Sequence, residues 1–222
     1  MVGVALQEDP TLKIHNLTHE ITPYNIFEAS YRLFQTVEYW PEGTTFISVV
    51  DPGVGSKRKS VVALTENNQY IVTPDNGTLT YIKTHVGIKA IREISEVKNR
   101  RQNTEYSYTF HGRDVYAYTG AKLASGHITF EEVGPELTVD AVLELPVVET
   151  VIGDNFVCGA VDILDVRFGS LWTSIKREDF YTLEPEFGDR FEVTISNNDM
   201  LVYQNQVTYG KSFADVRIGQ PI

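Results

Sequence analysis

Phe46-Ile47-Ser48-Val49-Val50-Asp51-Pro52-Gly53-Val54-Gly55-Ser56-Lys57-Arg58 is an apolar run that stops at a turn. Its first five residues read as a buried strand. Asp-Pro-Gly then ends that strand: Pro52 sets φ for one central turn position, and Gly53 offers the positive φ that the next can require. Asp51 is thereby delivered at the C-terminal end of a strand, the edge at which open α/β sheets place their ligand chemistry. An aspartate there either begins the turn or takes part in chemistry, and this segment alone leaves both readings open. Gly53 and Gly55 do not make a phosphate loop. Ser60-Val61-Val62-Ala63-Leu64 reads as a strand where such a loop needs a helix.

Working outward, strand and helix signals alternate over the first two-thirds of the chain. Thr22 and Pro23 form an N-cap and first-position pair. They open a helix whose Ile26, Ala29, Leu33 and Val37 share one face. The strands at Phe46, Val61 and Tyr70-Ile71-Val72 follow, with Asn67-Asn68 suited to a turn between the last two. A helix after Asn76-Gly77 and a strand near Ala90-Ile91 come next. Ala117, Gly120, Ala121 and Ala124 then form a small-residue stripe on a helix that packs closely on a neighbour. Helices interleaved with short buried strands predict an α/β domain, a mainly parallel sheet with helices on both faces, over residues 1–150. From about Pro146 the texture becomes alternating and β-branched, with turns such as Asn197-Asn198-Asp199. That predicts a second, all-β, barrel-like domain over residues 151–222.

A second segment bears on chemistry. Tyr108-Thr109-Phe110-His111-Gly112-Arg113-Asp114 leads into the small-residue helix, which Asp114 suits at its first turn and Gly126 ends. His111 at the helix entrance faces the positive end of the dipole, which disfavours imidazolium. A neutral ring serves a general base or a water-orienting group, but a histidine that only caps or packs would look the same.

Composition narrows the class. A chain of 222 residues with 42% hydrophobic and 22% charged residues is long enough to bury a proper core. A formal net charge of −11 argues against a nucleic-acid partner, which requires a basic patch. The short run Lys98-Asn99-Arg100-Arg101 reads as a solvated loop. Cys158 is the single cysteine, so an internal disulfide is excluded and a reducing compartment fits. No apolar run approaches the roughly 18 residues of a membrane span, so no membrane partner is expected, and with no signal peptide legible the chain reads as cytoplasmic. His15 and His19 in an extended segment would lie about 13 Å apart, too far for one metal, and no metal site is expected.

A third segment, Asp162-Ile163-Leu164-Asp165-Val166-Arg167-Phe168-Gly169-Ser170-Leu171-Trp172-Thr173-Ser174, resembles the Asp-x-x-Phe-Gly-Asn-x-x-Thr-Asn motif of the S-adenosylmethionine hydroxide adenosyltransferases, relatives of the S-adenosylmethionine-dependent fluorinase and chlorinase. Asn16-Leu17-Thr18-His19-Glu20-Ile21, the Asp51 to Arg58 segment, Pro74-Asp75-Asn76-Gly77 and Phe110-His111-Gly112-Arg113-Asp114 extend the resemblance in order across nearly the whole chain.

The resemblance implies hydrolysis of S-adenosyl-L-methionine to adenosine and L-methionine by an activated water or hydroxide, without a cofactor. It implies that Asp51, Arg58 and His111 activate the nucleophile. Asp51 would hold or accept the proton, Arg58 would fix the carboxylate, and His111 would tune or relay the proton. It further implies that Asp165 pairs with the methionine ammonium, and that Tyr24, Phe168 and Trp172 pack on the adenosine. Ser170 and Ser174 stand where the family has asparagines, and a hydroxyl discriminates a base edge less well than an amide. A homotrimer with sites at subunit interfaces is implied as well. Family segments preceding Met1 and following Ile222 lead to the expectation that the natural gene product is longer at both ends, and that residues 1–222 alone are poorly soluble or inactive. Two other readings stand beside hydrolysis: a halide-using lyase, which a carboxylate beside the anion opposes, and a non-catalytic adenosyl-compound binder.

Overall fold

The computed structural model describes residues 1–166 and 169–211. Two compact units divide the chain, Met1–Pro146 and Val147–Ile222. The first unit opens with helices α1 (Val2–Glu8) and α2 (Ile26–Val37). Helix α2 begins later than Thr22-Pro23 suggests, because Asn25 caps it: its side chain accepts from the Glu28 N–H, and the Glu28 carboxylate reaches back to the Thr22 N–H. Tyr24, just outside the cap, takes a left-handed φ of 68°.

A five-stranded sheet follows, of β1 (Thr45–Ile47), β2 (Ser60–Thr65), β3 (Tyr70–Pro74), β4 (Ile88–Glu93) and β5 (Glu136–Leu137), in the order β1-β3-β2-β4-β5. Only β1 and β3 run parallel, and the other neighbours are antiparallel, so the sheet is mixed and not mainly parallel. The cause is the tight turn at Glu66–Asn68, closed by the Asn68 N–H on the Thr65 carbonyl. A connection that short cannot make a crossover, so β2 and β3 must be a hairpin.

The expectation of helices on both faces holds. Val61, Ala63, Ile71 and Ile91 pack with Leu33 and Val37 of α2 and with Leu79 and Ile82. Val62 and Val72, pointing the other way, pack with Val115, Tyr116 and Leu123. That second face is covered by a π-helical turn, Gly112–Tyr116, which runs on into a longer helix. A short helix α3 (Glu96–Asn99) precedes the turn, and α4 (Ala117–Ala124) is the longer helix itself. The Ala/Gly stripe of α4 is where α4 meets the sheet: a Cβ on Gly120 would lie 2.7 and 2.9 Å from side-chain carbons of Ile47.

In the second unit the described strands form three separate antiparallel hairpins and no closed barrel: β6 (Val151–Ile152) with β7 (Val157–Cys158), β8 (Val161–Asp165) with β9 (Ser170–Thr173), and β10 (Arg190–Asn197) with β11 (Met200–Thr208). Asn198 and Asp199 both adopt positive φ, the geometry of a two-residue hairpin turn. Helix α5 (Arg177–Tyr181), which the β-rich texture concealed, packs Phe180 on Phe191 and Tyr209 with ring centroids 5.1 and 5.3 Å apart.

Gly120→Val should lower the unfolding free energy by about 1–3 kcal/mol, the usual cost of overpacking a filled contact, measured by urea denaturation of both proteins. Unchanged stability would show that α4 does not need its close approach to β1.

Candidate active site

Three elements converge on Asp51. The chain leaves β1 with the Ser48 N–H still bonded to the Val72 carbonyl, then reaches Val50, whose carbonyl accepts from the Asn76 side chain at 2.9 Å. The strand proper is shorter than the apolar run, ending at Ile47. The Val54 N–H bonds the Asp51 carbonyl and closes the turn. The left-handed residue there is Gly55, at φ 76°, and not Gly53. Tyr108 explains the need for glycine at that position, since its carbonyl lies 3.1 Å from where a Gly55 Cβ would be. Arg58 precedes β2, and His111 stands at the entrance of the π-helical turn.

Asp51, Arg58 and His111 are brought together. Arg58 Nε donates to Asp51 Oδ1 at 2.8 Å, and Nη2 donates to Oδ2 at 2.5 Å. This is the bidentate fork that arginine geometry favours. Both side chains are nearly buried, 5% exposed for Asp51 and 8% for Arg58. The same Nη2 reaches His111 Nδ1 at 2.9 Å, and Nη1 donates to Ser60 Oγ at 2.9 Å.

Arginine carries donors only, so its contact with His111 fixes the imidazole tautomer. Nδ1 must accept, and the ring proton sits on Nε2. Burial is the main cause that holds His111 below its ordinary pKa, with Arg58 and Arg100 acting the same way against the opposing pull of Glu96 and Asp51. His111 is therefore a neutral ring whose only lone pair is occupied. It presents Nε2–H as a donor, and among the described residues that buried nitrogen meets no acceptor. In this tautomer His111 has no free lone pair with which to accept a proton.

Two members of the cluster escaped the sequence reading. Ser60 Oγ lies 3.1 Å from Tyr116 Oη, and Tyr116 Oη lies 3.4 Å from Asp51 Oδ2. Tyr116 is fully buried, and burial raises its phenol far above the ordinary value. Its ring meets that of His111 at 6.4 Å because a π-helical turn separates them; π-bulges gather at functional sites. Asp75, from the Pro74-Asp75-Asn76-Gly77 segment, is also buried and has its pKa raised chiefly by desolvation, while its Oδ1 accepts from the Leu143 N–H. A cavity of about 770 Å³ between α1, α4 and β1 is not lined by Asp51, Arg58 or His111. The chemistry, and not cavity size, marks the site.

In the second unit, Asp165 is buried at the end of β8 and pairs in register with Ser170 of β9. Trp172 Nε1 donates to Asp165 Oδ2 at 3.3 Å, so these two sequence candidates touch. Trp172 remains 40% exposed. Ser174 Oγ accepts from the Ala160 N–H at 3.0 Å, which gives that serine a structural task. Phe168 lies outside the described residues. Tyr24, in the first unit, is 76% exposed.

Residues 1–134 match the family model of the SAM hydroxide adenosyltransferase N-terminal domain, and residues 159–222 match that of the C-terminal domain. The chain belongs to the SAM hydroxide adenosyltransferase family.

Its likeness to individual members is consistent. An (R)-S-adenosyl-L-methionine hydrolase of Methanocaldococcus jannaschii is 36% identical over 75% of this chain and 56% of its own length. A fluorinase of Actinopolyspora mzabensis is 24% identical over 99% of this chain and 79% of its own. A crystal structure of an uncharacterized conserved protein from Thermotoga maritima superimposes with a TM-score of 0.85 at 35% identity, covering 99% of this chain and 81% of that one. The chain spans a little over half the length of the first curated hydrolases it matches.

In this adenosyltransferase-family chain, the depressed His111 has a measurable consequence. Its folded pKa lies below the unfolded value of about 6.5, so the unfolded chain binds the proton first as pH falls. Stability is expected to fall below pH 6.5 until the folded pKa is passed. Denaturation curves at pH 7.5 and 5.5 should show a larger loss for the wild type than for His111→Asn, which cannot titrate. Equal losses would mean that His111 is not held neutral.

Proposed function

We propose that this protein hydrolyses S-adenosyl-L-methionine to adenosine and L-methionine. The observation that carries the reading is the buried Asp51–Arg58–His111 cluster, held by the distances above. The curated relatives at 34–37% identity that bear the name (R)-S-adenosyl-L-methionine hydrolase support it.

The sulfonium of the substrate makes methionine a good neutral leaving group, so the enzyme has to supply an oriented nucleophile. In the proposed step, the water oxygen bonds to the 5′ carbon as the carbon–sulfur bond breaks, and the bonding pair stays on sulfur as the neutral thioether. The water proton passes to Asp51. Asp51 Oδ1 receives one donor while Oδ2 receives two, so Oδ1 is the oxygen assigned to the water. His111 Nε2–H donates to the water oxygen and fixes its direction. Arg58 holds the carboxylate aligned through its two-point contact. A halide at the same place would face the Asp51 carboxylate and be repelled, which favours water. No cofactor is needed, because the leaving group is built into the substrate.

Asp165 is proposed to take the methionine ammonium, and Trp172, Tyr24 and Phe168 to pack on the adenosine, with Ser170 near the base. The assembly proposed is a homotrimer with sites at subunit interfaces, in the cytoplasm. Sedimentation of the whole protein should give three times the subunit mass, and a fully active monomer would remove that part of the reading.

Asp51→Asn preserves shape and removes the charge. Adenosine release, followed by chromatography, is expected to fall about 10²–10⁴-fold, the usual cost of losing a general base, with affinity for S-adenosyl-L-methionine little changed. Turnover near wild type combined with lost binding would make Asp51 a substrate ligand and overturn the assignment. Asp51→Asn and Arg58→Ala each leave a nearly buried charge without its partner, at a cost of about 3–5 kcal/mol in stability, so unfolding is measured alongside turnover for both.

A further inference from the structure

We infer that Ser60 and Tyr116 are positioning residues for the proposed hydrolysis, acting as one hydrogen-bonded chain that closes a ring with Arg58 and locks the Asp51 carboxylate. The inference rests on the reading that Asp51 orients the nucleophile, and extends it to two further side chains that act through Asp51 and Arg58.

The direction of the chain follows from proton counting. Arg58 Nη1 is a donor, so Ser60 Oγ accepts from it at 2.9 Å. The Ser60 hydroxyl proton then points to Tyr116 Oη at 3.1 Å, and the phenol proton to Asp51 Oδ2 at 3.4 Å. This is the arrangement in which every hydroxyl proton has an acceptor. Arg58 Nη2 on Oδ2 closes the ring. All four side chains are buried or nearly so, and in such surroundings linked hydrogen bonds polarise one another. Because burial raises the Tyr116 phenol, it keeps its proton throughout the working range and stays a donor.

The consequence is geometric. A fork from Arg58 alone leaves the carboxylate free to hinge about the line through its two oxygens. A third donor, the Tyr116 hydroxyl on Oδ2, fixes the plane of the carboxylate and hence the direction of the remaining Oδ1 lone pair. Ser60 holds Arg58 Nη1 in the same way, which keeps Nη2 on His111 Nδ1 and preserves the Nε2–H tautomer. Arg58 also lies over the Tyr116 ring at 5.7 Å, a contact that phenylalanine retains. Tyr116→Phe therefore removes the hydroxyl link while the packing stays.

The test uses the whole protein and two variants, Tyr116→Phe and Ser60→Ala. With S-adenosyl-L-methionine, each should lower kcat about tenfold, as loss of a hydrogen bond to a charged group does, with KM within about twofold of wild type. The double variant should be no worse than the poorer single, because both links belong to one chain. Wild-type kcat in either single variant, or a defect confined to KM, overturns the inference. A second readout does not depend on turnover. In ¹⁵N-resolved NMR at pH 7.5, the wild type should show a slowly exchanging Arg58 Nε–H and the Nε2–H pattern of His111. In both variants the Arg58 exchange should accelerate about tenfold or more. Unchanged exchange in both variants overturns the inference even if the wild type releases no adenosine, whereas accelerated exchange with no wild-type turnover would sustain the lock and refute the hydrolytic reading.

Discussion

The guanidinium of Arg58 sets the terms for everything around it. It is nearly buried and offers donors without a single acceptor. Each neighbour must therefore accept: Asp51 with both oxygens, His111 with Nδ1, Ser60 with Oγ. Charge, tautomer and hydroxyl direction all follow from that one constraint. A buried ion pair costs much to desolvate, and it persists where the geometry is good and its remaining hydrogen-bonding groups are satisfied. Here four contacts from one side chain meet that requirement.

The sheet topology is what delivers Arg58 to that place. Strands β1 and β3 run parallel, so their C-terminal ends share an edge, and Asp51 and the Asp75-Asn76 segment both emerge there. Strand β2 runs the opposite way, with Ser60 facing Pro74 across the pair. The N-terminal end of β2 therefore lies at the same edge, and Arg58, two residues before Ser60, arrives beside Asp51. A purely parallel sheet would have carried the start of β2 to the far edge. The hairpin that departs from the expected parallel pattern is thus the feature that assembles the cluster.

Much of this was legible in the residues. The Asp-Pro-Gly stop, the helix entrance at His111 and the small-residue face of α4 are local signals with local causes, and the structure places each where its chemistry asks. Ser60 and Tyr116 were not legible. A serine at the head of a buried strand and a tyrosine among many look like ordinary structure, and His111 and Tyr116 are five residues apart, a spacing that an α-helix would rotate away from one another. The π-helical turn brings their rings together. The positive φ also moved, from Gly53 to Gly55, because the contact with Tyr108 that demands it comes from a distant part of the chain.

By itself, the sequence determined most strand and helix segments of the first unit, where apolar runs must stop, and which residue types are available for acid, base and cation roles. Those properties depend on neighbours a few positions away. Tertiary structure alone decided the contact of Arg58 with His111, the protonated nitrogen of His111 and the link between Ser60 and Tyr116. Each depends on atoms 50 or more positions apart meeting within about 3.5 Å, as between Arg58 and His111 or Ser60 and Tyr116. Hydrogen bonds are too short-ranged and too directional for spacing along the chain to specify them.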